Sequence, residues 1–554
     1  MEYPLSLQSK NYLQKGRIKG MEKEGYYGSD GVYELNEEVY ENDFILRISE
    51  NLTRKGARYD VTVSGTVNGR DGGIIYYENL GRVIEAVYNT VAESNLALYR
   101  GDVYFFTGKI YERVPNKSFL ERAVRIYLKR SGVPQMFIIK SFTMLMKNAY
   151  SSLEINRQLR PRFNIMAFEN GVVDMDDGVL HDFSRNYHVT SIHKYRYDPH
   201  ARCPKWLSFL RGTTFGRKDY GGGVLPDKND RLILQMFLGL SLYDRGRMDN
   251  KIENALVLFG NGSNGKGVIM NTVTGILGEE NISSLDMEAL LRSGDERQRN
   301  LCQIEGKVFN WSGEIGPKTF AGREDAAKSL ISGEPQMARK IGNNAFRITN
   351  IPYFIFNANR FPTAGDGSYG FFRRFIFLVF DKVVSDKDMN LALETELRSE
   401  YPGILNWIRN GAKLLKKNGF RFPESEGNLR KKISEMGLSA LGKSWAMARG
   451  FYAYPREGVK GDIRHEVEFS AIYADIERYA DDNGFPMVSK PTIAAHLRDM
   501  GFGKEKKRKV GGTVYYKCFG VTTDDLANTR PPVVADMEIG VNNKSFDYGE
   551  DYYD

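Results

Sequence analysis

A glycine-rich turn between an apolar strand and a helix is the feature of this 554-residue sequence that most constrains its fold. Residues 255–259 are all apolar and predict a buried strand, whereas the residues from Val268 onward predict a helix. Between them runs Gly-Asn-Gly-Ser-Asn-Gly-Lys, whose glycines permit the positive φ angles and close approach that a backbone needs to surround phosphate. Lys266 would reach the β- and γ-phosphates beside the positive end of the helix. The stretch therefore predicts a phosphate-binding loop for a nucleoside triphosphate.

The residues of this predicted loop are Gly260, Asn261, Gly262, Ser263, Asn264, Gly265, Lys266, Gly267 and Val268. Gly267 stands where such loops usually carry a Ser or Thr, whose hydroxyl binds Mg²⁺. The alternative is a glycine-rich strand-to-helix turn without a ligand. The residues further along the chain favour the phosphate loop.

Length, composition and charge bound the remaining possibilities. A chain this long predicts about three or four domains, and 41% apolar with 27% charged residues is typical of a globular protein. The net charge of +8 permits a polyanionic partner but does not prove one. Three isolated cysteines favour neither disulfides nor a zinc site, and no bilayer-spanning run or signal peptide is found. We expect a soluble cytoplasmic protein, located in the host cytoplasm if a phage encodes it.

The chain before residue 246 gives fold signals without a catalytic constellation. Residues 1–96, whose function is not indicated, predict short strands and turns, including a turn at Asp71-Gly-Gly. Residues 97–245 form the next predicted domain, with a hairpin near residues 103–111, a helix from Phe119 and two strands around an acidic Gly turn. A helical segment is predicted from Pro204 to about Leu242, followed by a flexible linker at residues 244–247. Four histidines in this region (His181, His188, His193 and His200) lack the helical spacing of a zinc pair.

Polar residues end two further predicted strands. Glu314 follows the strand at residues 306–313, and in a nucleotide-binding sheet such an acid orients water or holds the metal. Asn359 ends the strand that begins at Tyr353, where its amide could bind the γ-phosphate or the attacking water. Without Lys266 upstream, a surface Glu after a buried strand would be the better explanation of Glu314.

Basic residues accompany these strands. Lys328, Arg339 and Lys340 lie near turn residues, as in a hairpin that grips a nucleic-acid backbone, although a solvated charged loop is an equal alternative. Arg373 and Arg374 precede a third apolar strand, and arginine binds phosphate with a planar fork. An arginine that acts on a neighbour's nucleotide would make an oligomer necessary for activity. Two solvated cations at a strand edge are the alternative.

The order of these motifs resembles that of superfamily 3 helicases, in the poxvirus-type and phage/plasmid primase-helicase branch. The shared features are the phosphate loop, the strand-end Glu, Lys-x4-Gly, Asn-x2-Pro and Phe-Arg-Arg-Phe. The segment from Asn170-Gly-Val-Val-Asp to Tyr197-Asp-Pro also resembles the domain preceding the helicase. The resemblance covers about residues 97–385. Gly333-Glu-Pro departs from the more usual Gly-Asp, and the region before residue 97 shows no polymerase acids, so priming is not predicted.

The resemblance implies an α/β fold with an AAA+-like P-loop ATPase core at residues 246–385, preceded by an α+β region. Lys266 would bind the phosphates of ATP, Glu314 would be the Walker B acid that holds Mg²⁺, and Asn359 would be the sensor. Arg373 or Arg374 would be the arginine finger. Lys328, Arg339 and Lys340 would belong to a DNA-binding hairpin. The family typically forms hexameric rings that move along single-stranded DNA from 3′ to 5′.

Three regions follow the predicted core. Residues 386–465 predict a helical extension, and residues 466–521 predict a winged helix with helices from Phe469 and Ser489. Its basic wing would bind DNA through Lys504, Lys506, Lys507, Arg508 and Lys509, unless this run is a nuclear localisation signal or a solvated turn. Residues 522–554 predict an acidic disordered tail that docks replication proteins or competes with DNA, or simply aids solubility.

These observations favour an ATP-dependent DNA helicase that moves on single-stranded DNA as a ring, expected to be a hexamer, in the replication of a phage or mobile element. Gly267 motivates an alternative, a replication initiator or origin-binding ATPase with weak or no unwinding. A small-molecule or nucleotide kinase with the same loop would need neither the arginine finger nor the basic hairpin, and is the least favoured hypothesis.

Overall fold

The structure is a computed structural model that divides into two compact units. They are Met1–Pro161 with Asp182–Ile192, and Arg162–His181 with His193–Asp554. The structure describes residues 26–27, 33–34, 37–56, 70–211, 217–218, 224–225, 228–260, 262–313, 315–316, 319–342, 344–361, 369–380, 384–385, 389–454, 463–502, 508–510 and 513–532. Within those ranges, no helix is both long enough and apolar enough to pass through a bilayer.

The first unit packs helices against one face of a small antiparallel sheet. Its helices are α1 (Glu37–Lys55), α2 (Arg70–Glu93), α3 (Lys117–Arg130) and α4 (Gln135–Asn156). Its strands are the short pair β1 (Tyr26–Tyr27) and β2 (Tyr33–Glu34), and the sheet β3 (Leu96–Tyr99), β4 (Asp102–Phe106) and β5 (Tyr111–Arg113). Val103 and Phe105 point from β4 into the helical core, so the predicted hairpin and the helix from Phe119 are both present.

The prediction of strands and turns for residues 1–96 is wrong for the two long helices. In α1 the buried residues Phe44, Ile48 and Leu52 recur every four positions, and a similar helical spacing buries one side of α2. This periodicity outweighs the Gly- and Tyr-rich composition on which the prediction rested. Asp71-Gly-Gly lies inside α2 rather than in a turn, and residues 57–69, within the region predicted to form short strands, lie outside the described residues.

The second unit begins with a small sheet and two separate helices. The sheet contains β6 (Ile165–Phe168), β7 (Gly171–Asp174), β8 (Val179–His181) and β9 (Ile192–His193), in the order β8-β7-β6-β9. The predicted acidic turn joins β7 to β8, where Asp177 Oδ1 accepts the N–H of Val179 at 2.8 Å.

The prediction of one continuous helix from Pro204 to Leu242 is wrong. Two helices, α5 (Pro204–Phe209) and α6 (Lys228–Gly239), are separated by the hairpin of β10 (Arg217–Lys218) and β11 (Val224–Leu225). Three consecutive glycines at residues 221–223 oppose a helix there.

Arg245, predicted to lie in a flexible linker, is a packed residue. Its guanidinium donates to the carbonyl oxygens of Pro352 at 2.9 Å and Ile252 at 2.7 Å, and it stacks 4.4 Å from the centre of the Tyr353 ring. Burial lowers its pKa to about 10. Arg245 therefore holds the chain near Ile252 next to the chain near Pro352, because its single guanidinium donates to carbonyl oxygens of both segments.

The central sheet of the second unit is entirely parallel. Its strands are β12 (Ala255–Phe259), β13 (Ile282–Ser283), β14 (Phe309–Ser312), β17 (Tyr353–Ala358) and β18 (Phe375–Val379), in the order β13-β14-β17-β12-β18. Its connections contain α7 (Lys266–Leu277), α8 (Met287–Leu291), α9 (Gly294–Ile304), α10 (Glu324–Ile331), the hairpin β15 (Gln336–Ala338) and β16 (Phe346–Ile348), and α11 (Tyr369–Phe372). Leu256 and Leu258 of β12 face one core, while Ala255 and Val257 face another. Burial on both faces explains the continuous apolar run that predicted this strand.

Four helices follow the sheet: α12 (Leu393–Arg398), α13 (Tyr401–Lys417), α14 (Glu426–Ser439) and α15 (Leu441–Arg449). The first three pack against the sheet or the helices beside it, whereas the buried residues of α15 lie in the core of the module that follows it. At the crossing of α13 with α6, a Cβ on Gly411 would lie 2.1 Å from the carbonyl oxygen of Gln235, so only glycine permits this approach. Along the edge strand β18, Asn428 Oδ1 accepts the N–H of Phe377 at 2.9 Å, so that α14 covers an otherwise unpaired edge.

The chain ends in a small mixed module. It contains β19 (Arg464–Glu468), α16 (Phe469–Asn483), α17 (Lys490–Asp499), β20 (Arg508–Val510), β21 (Thr513–Phe519) and α18 (Thr523–Asn528). The two helices and the hairpin predicted for residues 467–521 are present, and β19 pairs with β21 as a further strand.

The prediction that disorder begins at residue 522 is wrong for α18. A capping box between Thr522 and Asp525 starts this helix, and Leu526 is buried. Arg449 then links the buried carboxylate of Asp475, at 2.7 Å, to the carbonyl of Thr529, at 2.9 Å. Residues 533–554, which carry most of the predicted acidic tail, lie outside the described residues.

His193 makes stability depend on pH. Its ring lies 5.3 Å from that of Phe168, and burial lowers its pKa to about 4, opposed by Glu280 and by a hydrogen bond with Ile276. The unfolded chain binds this proton near pH 6.5, so the stabilisation is present above that pH and is lost as pH falls toward about 4. We expect urea titrations to show about 2 kcal/mol less stability at about pH 4.5 than at about pH 7, and His193→Phe to flatten that difference. The matched control is His200→Phe at an exposed histidine, and an equal slope in both variants would contradict this account.

Candidate nucleotide-binding site

The loop between β12 and α7 has the backbone geometry that its glycines predict. Gly260, Ser263 and Gly265 have positive φ angles of 155°, 56° and 87°. A Cβ on Gly260 would lie 2.4 Å from the carbonyl oxygen of Phe380, so this position requires glycine. Gly265 caps α7, and Lys266 is its first residue. The loop therefore turns its backbone directly into the positive end of a helix. Asn261 lies outside the described residues.

Lys266 is buried inside this loop, with 8% of its surface exposed. Its ammonium donates to the carbonyl oxygen of Gly260 and, at 3.1 Å, to Asn264 Oδ1. Asn264 is itself buried, and its Nδ2 donates to Phe380 O at 3.4 Å. These hydrogen bonds hold the amine inside the loop, where a phosphate oxygen would be a stronger acceptor than either of these two neutral oxygens.

The ends of two neighbouring strands lie beside this loop. β17 separates β12 from β14, and because all three run parallel, their carboxyl ends meet at one edge of the sheet. Asn359 follows β17 at this edge and is exposed. Glu314, the predicted acid two residues after β14, lies outside the described residues.

Two asparagines within the strands, which the sequence analysis missed, tie neighbouring segments of the sheet together. Asn357 Oδ1 on β17 accepts the indole N–H of Trp311 on β14 at 3.2 Å. Asn310 Oδ1 accepts from Ser283 Oγ at 2.9 Å and from the N–H of Leu285 at 3.1 Å. The sequence did contain a signal for these contacts, namely an asparagine within each of two otherwise largely apolar strands. An amide inside a buried strand needs hydrogen-bond partners from neighbouring segments.

Arg373 and Arg374 lie at the opposite edge of the sheet. They precede β18, whose first residue Phe375 pairs with Ala255, whereas the phosphate loop follows the last residue of β12. Five residues of strand span about 16 Å. Within one subunit, the two arginines and the phosphate loop are therefore separated by the length of the sheet.

The two arginines are held differently. The Arg374 side chain is 12% exposed, donates to Ser332 Oγ at 3.0 Å and also donates to the carbonyl of Gly370. The Arg373 side chain is 48% exposed, with its guanidinium 2.7 Å from Glu253 Oε2. A hydrogen bond from Lys251 is the largest cause of a lowered Glu253 pKa, and both arginines contribute. Arg374 is thus part of the packed structure, while Arg373 lies at the surface.

The predicted basic hairpin is formed by β15 and β16. Register Ala338↔Phe346 places Arg339 and Lys340 in the connection, both exposed, next to an Ile341 that is 85% exposed. Arg339 lies 3.7 Å from Asp295. Lys328 is not in the hairpin: it lies on α10, 3.1 Å from Asp325.

The basic residues near the carboxyl end are only partly described. Arg508 and Lys509 lie on β20, whereas Lys504, Lys506 and Lys507 fall outside the described residues. Among the described residues, no group of three or more His, Cys, Asp or Glu side chains could hold a metal ion. Mg²⁺ on a nucleotide does not require such a group, because it commonly takes one or two carboxylates together with phosphate oxygens and water.

Comparison with protein-family models matches two segments of the chain. Residues 152–215 match the family described as D5 N terminal like, and residues 258–374 match a family of unknown function, DUF5906. The first match supports a relationship to a phage or viral primase-helicase family. It lies in the segment predicted to precede a helicase, and the second match runs from β12 to Arg374.

Solved structures with partial likeness include the apo structure of the NrS-1 C terminal region, at 13% identity and a TM-score of 0.38, covering 78% of this chain and 98% of that one. Two A form apo structures of the same region have 13% identity and TM-scores of 0.36 and 0.34. They cover 77% and 78% of this chain, and 96% and 99% of their own.

Proposed function

We propose that this chain is an ATP-dependent DNA helicase of superfamily 3 that moves along single-stranded DNA as a ring, in replication of a phage or mobile element. The observation that carries the proposal is the placement of the charged groups. Lys266 lies in a phosphate-type loop at one edge of a parallel sheet, and the exposed Arg373 lies at the other edge. An arginine in this position can contact only the nucleotide that is bound to a second copy of the chain. This arrangement is expected of a ring in which each nucleotide-binding site lies between two subunits.

In this AAA+-like P-loop core, the loop backbone and Lys266 would bind the phosphates of ATP. The Lys266 ammonium would exchange its hydrogen bonds to Gly260 and Asn264 for charged phosphate oxygens, a stronger interaction in a buried site. Glu314 would hold Mg²⁺, which neutralises charge on the β- and γ-phosphates, or would orient the attacking water. Asn359, exposed after β17, would hydrogen-bond the γ-phosphate or that water.

DNA would be bound by two basic elements of the second unit. The hairpin presents Arg339 and Lys340 at its connection, where cations can contact successive phosphates without reading bases. The terminal module has a strand, two helices and a hairpin in the order of a winged helix, with Arg508 and Lys509 on the hairpin. The tail beyond residue 532 would dock other replication proteins.

The test is whether single-stranded DNA stimulates ATP hydrolysis and whether ATP drives strand displacement. We expect both activities in the wild-type chain, and mass photometry with ATP and DNA should show a closed oligomer, expected to be a hexamer. Lys340→Ala should weaken the DNA stimulation, whereas Lys417→Ala, a matched lysine at the end of α13, should not. ATP hydrolysis by a monomer, indifferent to DNA, would contradict the proposal and favour a kinase.

A replication initiator with weak hydrolysis is the second candidate, and Gly267 favours it. This residue is exposed in the first turn of α7 and supplies no hydroxyl for Mg²⁺. Footprinting on the DNA of the encoding element separates the two functions. Site-specific protection without strand displacement would identify an initiator, whereas displacement without site preference would identify a helicase.

Gly267→Ser tests how Mg²⁺ is held. A Cβ on Gly267 meets no heavy atom within 4 Å, so the serine side chain fits without rearrangement. If the missing hydroxyl limits metal binding, we expect the variant to reach half-maximal ATPase activity at about tenfold lower Mg²⁺ concentration, which corresponds to about 1.4 kcal/mol of tighter metal binding. Gly267→Ala is the control for helix propensity. Equal Mg²⁺ dependence in all three proteins would mean that the metal is held without this position.

A further inference from the structure

The outer face of the sheet in the first unit carries a row of aromatic side chains. Val103 and Phe105 point into the helical core, so the alternate residues Tyr104 and Phe106 lie on the opposite face. Register Phe106↔Tyr111 and Tyr99↔Asp102 brings the rings of Tyr99 and Tyr111 onto this same face. Neighbouring rings are 6.0 Å apart for Tyr99 and Tyr104 and 5.2 Å apart for Phe106 and Tyr111. The result is a strip of two ring pairs on one face of the sheet, with members on all three strands.

This strip, the outer aromatic strip, is only partly covered by the chain. Tyr111 is buried with 4% of its surface exposed, on a small base that also contains Ala97 and Leu159. Tyr99, Tyr104 and Phe106 pack against that base but keep part of their surface accessible. The base supports the rings from below, which holds them in place while leaving their outer surface open to a ligand.

Arginines surround the outer aromatic strip at both ends. At one end, Arg100 lies 4.9 Å over the ring of Tyr99, and Arg113, whose side chain is 58% exposed, lies next to Tyr104. At the other end, burial raises the pKa of the Tyr111 phenol, and the positive charges of Arg157 and Arg185 partly oppose this rise. Arg160 is exposed there, and its backbone N–H donates to His188, whose ring lies 6.2 Å from Tyr111. Asp102 pairs with Arg113 at 3.1 Å.

We propose that the outer aromatic strip is a binding site for single-stranded nucleic acid, in which bases stack on Tyr99, Tyr104 and Phe106 while Arg100, Arg113, Arg160 and Arg185 contact the phosphates. Aromatic faces bind any base, and surrounding cations follow the backbone, so such a site is tolerant of sequence. A duplex is a poor fit because its bases are already stacked within it. An acidic peptide would use the arginines but would gain little from the rings.

The site lies in a different unit from Lys266 and from the basic hairpin, so it does not depend on the proposed ATPase. It would hold the strand outside the core, and its loss would weaken DNA binding without changing ATP hydrolysis in the absence of DNA. The two proposals can therefore fail independently.

The experiment is photo-crosslinking of the full chain to oligothymidylate and to oligouridylate, each carrying 5-iodouracil, followed by mass spectrometry. We expect crosslinked peptides from residues 97–113 with one or both probes, and the comparison tells DNA from RNA. Tyr104→Leu keeps an apolar side chain on the same base but removes the stacking surface, so crosslinking in this segment should fall about tenfold. Arg113→Gln should lower the dependence of binding on salt by about 0.7 in the logarithmic slope.

Tyr150→Leu is the matched control, because Tyr150 is also partly buried beneath a cation, Lys117 at 5.3 Å, but lies on α4 in the same unit. Thermal melts of both variants separate lost binding from lost folding. The proposal is overturned if no crosslink falls in residues 97–113, or if Tyr104→Leu and Tyr150→Leu reduce crosslinking there equally. Equal competition by an acidic peptide and by the oligonucleotides would identify a general anion site and would also overturn it.

Discussion

Replacing Lys266 with alanine is expected to abolish ATP hydrolysis while leaving the chain folded. The ammonium lies inside the predicted phosphate loop, where two of its acceptors, the oxygens of Gly260 and Asn264, are neutral and do not become buried charges when it is removed. Loss of one preorganised charge at a transferring phosphoryl group costs at least about a hundredfold in kcat. Steady-state ATPase assays with and without single-stranded DNA measure the effect.

A matched control for this change is Lys307→Ala. Lys307 also donates to a backbone carbonyl, that of Glu280, but it precedes β14 and so lies at the far edge of the sheet from the loop. We expect its ATPase activity to stay within about twofold of wild type, since surface substitutions usually change stability by under about 0.5 kcal/mol. Hydrolysis that survives Lys266→Ala would place the nucleotide elsewhere and remove the basis of the proposed function.

Replacing Arg373 with alanine is expected to lower ATP turnover by about 10³- to 10⁵-fold, the range for an arginine that stabilises phosphoryl transfer in trans. The strand length that separates Arg373 from the loop excludes action on its own nucleotide. Mixing this variant with Lys266→Ala should restore part of the activity. In a mixed ring, an intact loop of one subunit can face an intact arginine of the next, although neither parent protein is active.

Arg374→Ala separates the two neighbouring arginines. Arg374 is nearly buried and donates to Ser332 and to the Gly370 carbonyl, so its loss leaves acceptors unsatisfied and should lower the melting temperature rather than act through a neighbour. Its defect should not be rescued by mixing with Lys266→Ala. If mixing restores Arg374→Ala but not Arg373→Ala, the assignment of the finger reverses. If turnover is indifferent to losing both, a trans-acting arginine is excluded.

Several elements could be predicted because their signal is local. The strand at residues 255–259, the hairpin near residue 103, the helix from residue 117 and the helices after residue 468 all follow from periodicity and turn residues within one segment. The helices α1 and α2 were missed because composition was given more weight than the spacing of their few buried residues.

The sequence by itself determined the backbone geometry of the turn between β12 and α7, because the φ angles permitted at Gly260 and Gly265 and the position of Lys266 depend only on residues a few positions apart. The tertiary structure alone decided which arginine is exposed, that both lie a full strand away from the loop, and that Arg245 is packed against Tyr353. Those properties depend on which strands become neighbours in the sheet and on which carbonyl and carboxylate oxygens then lie near each guanidinium. The interacting residues are more than a hundred positions apart in the sequence, so no local pattern contains them.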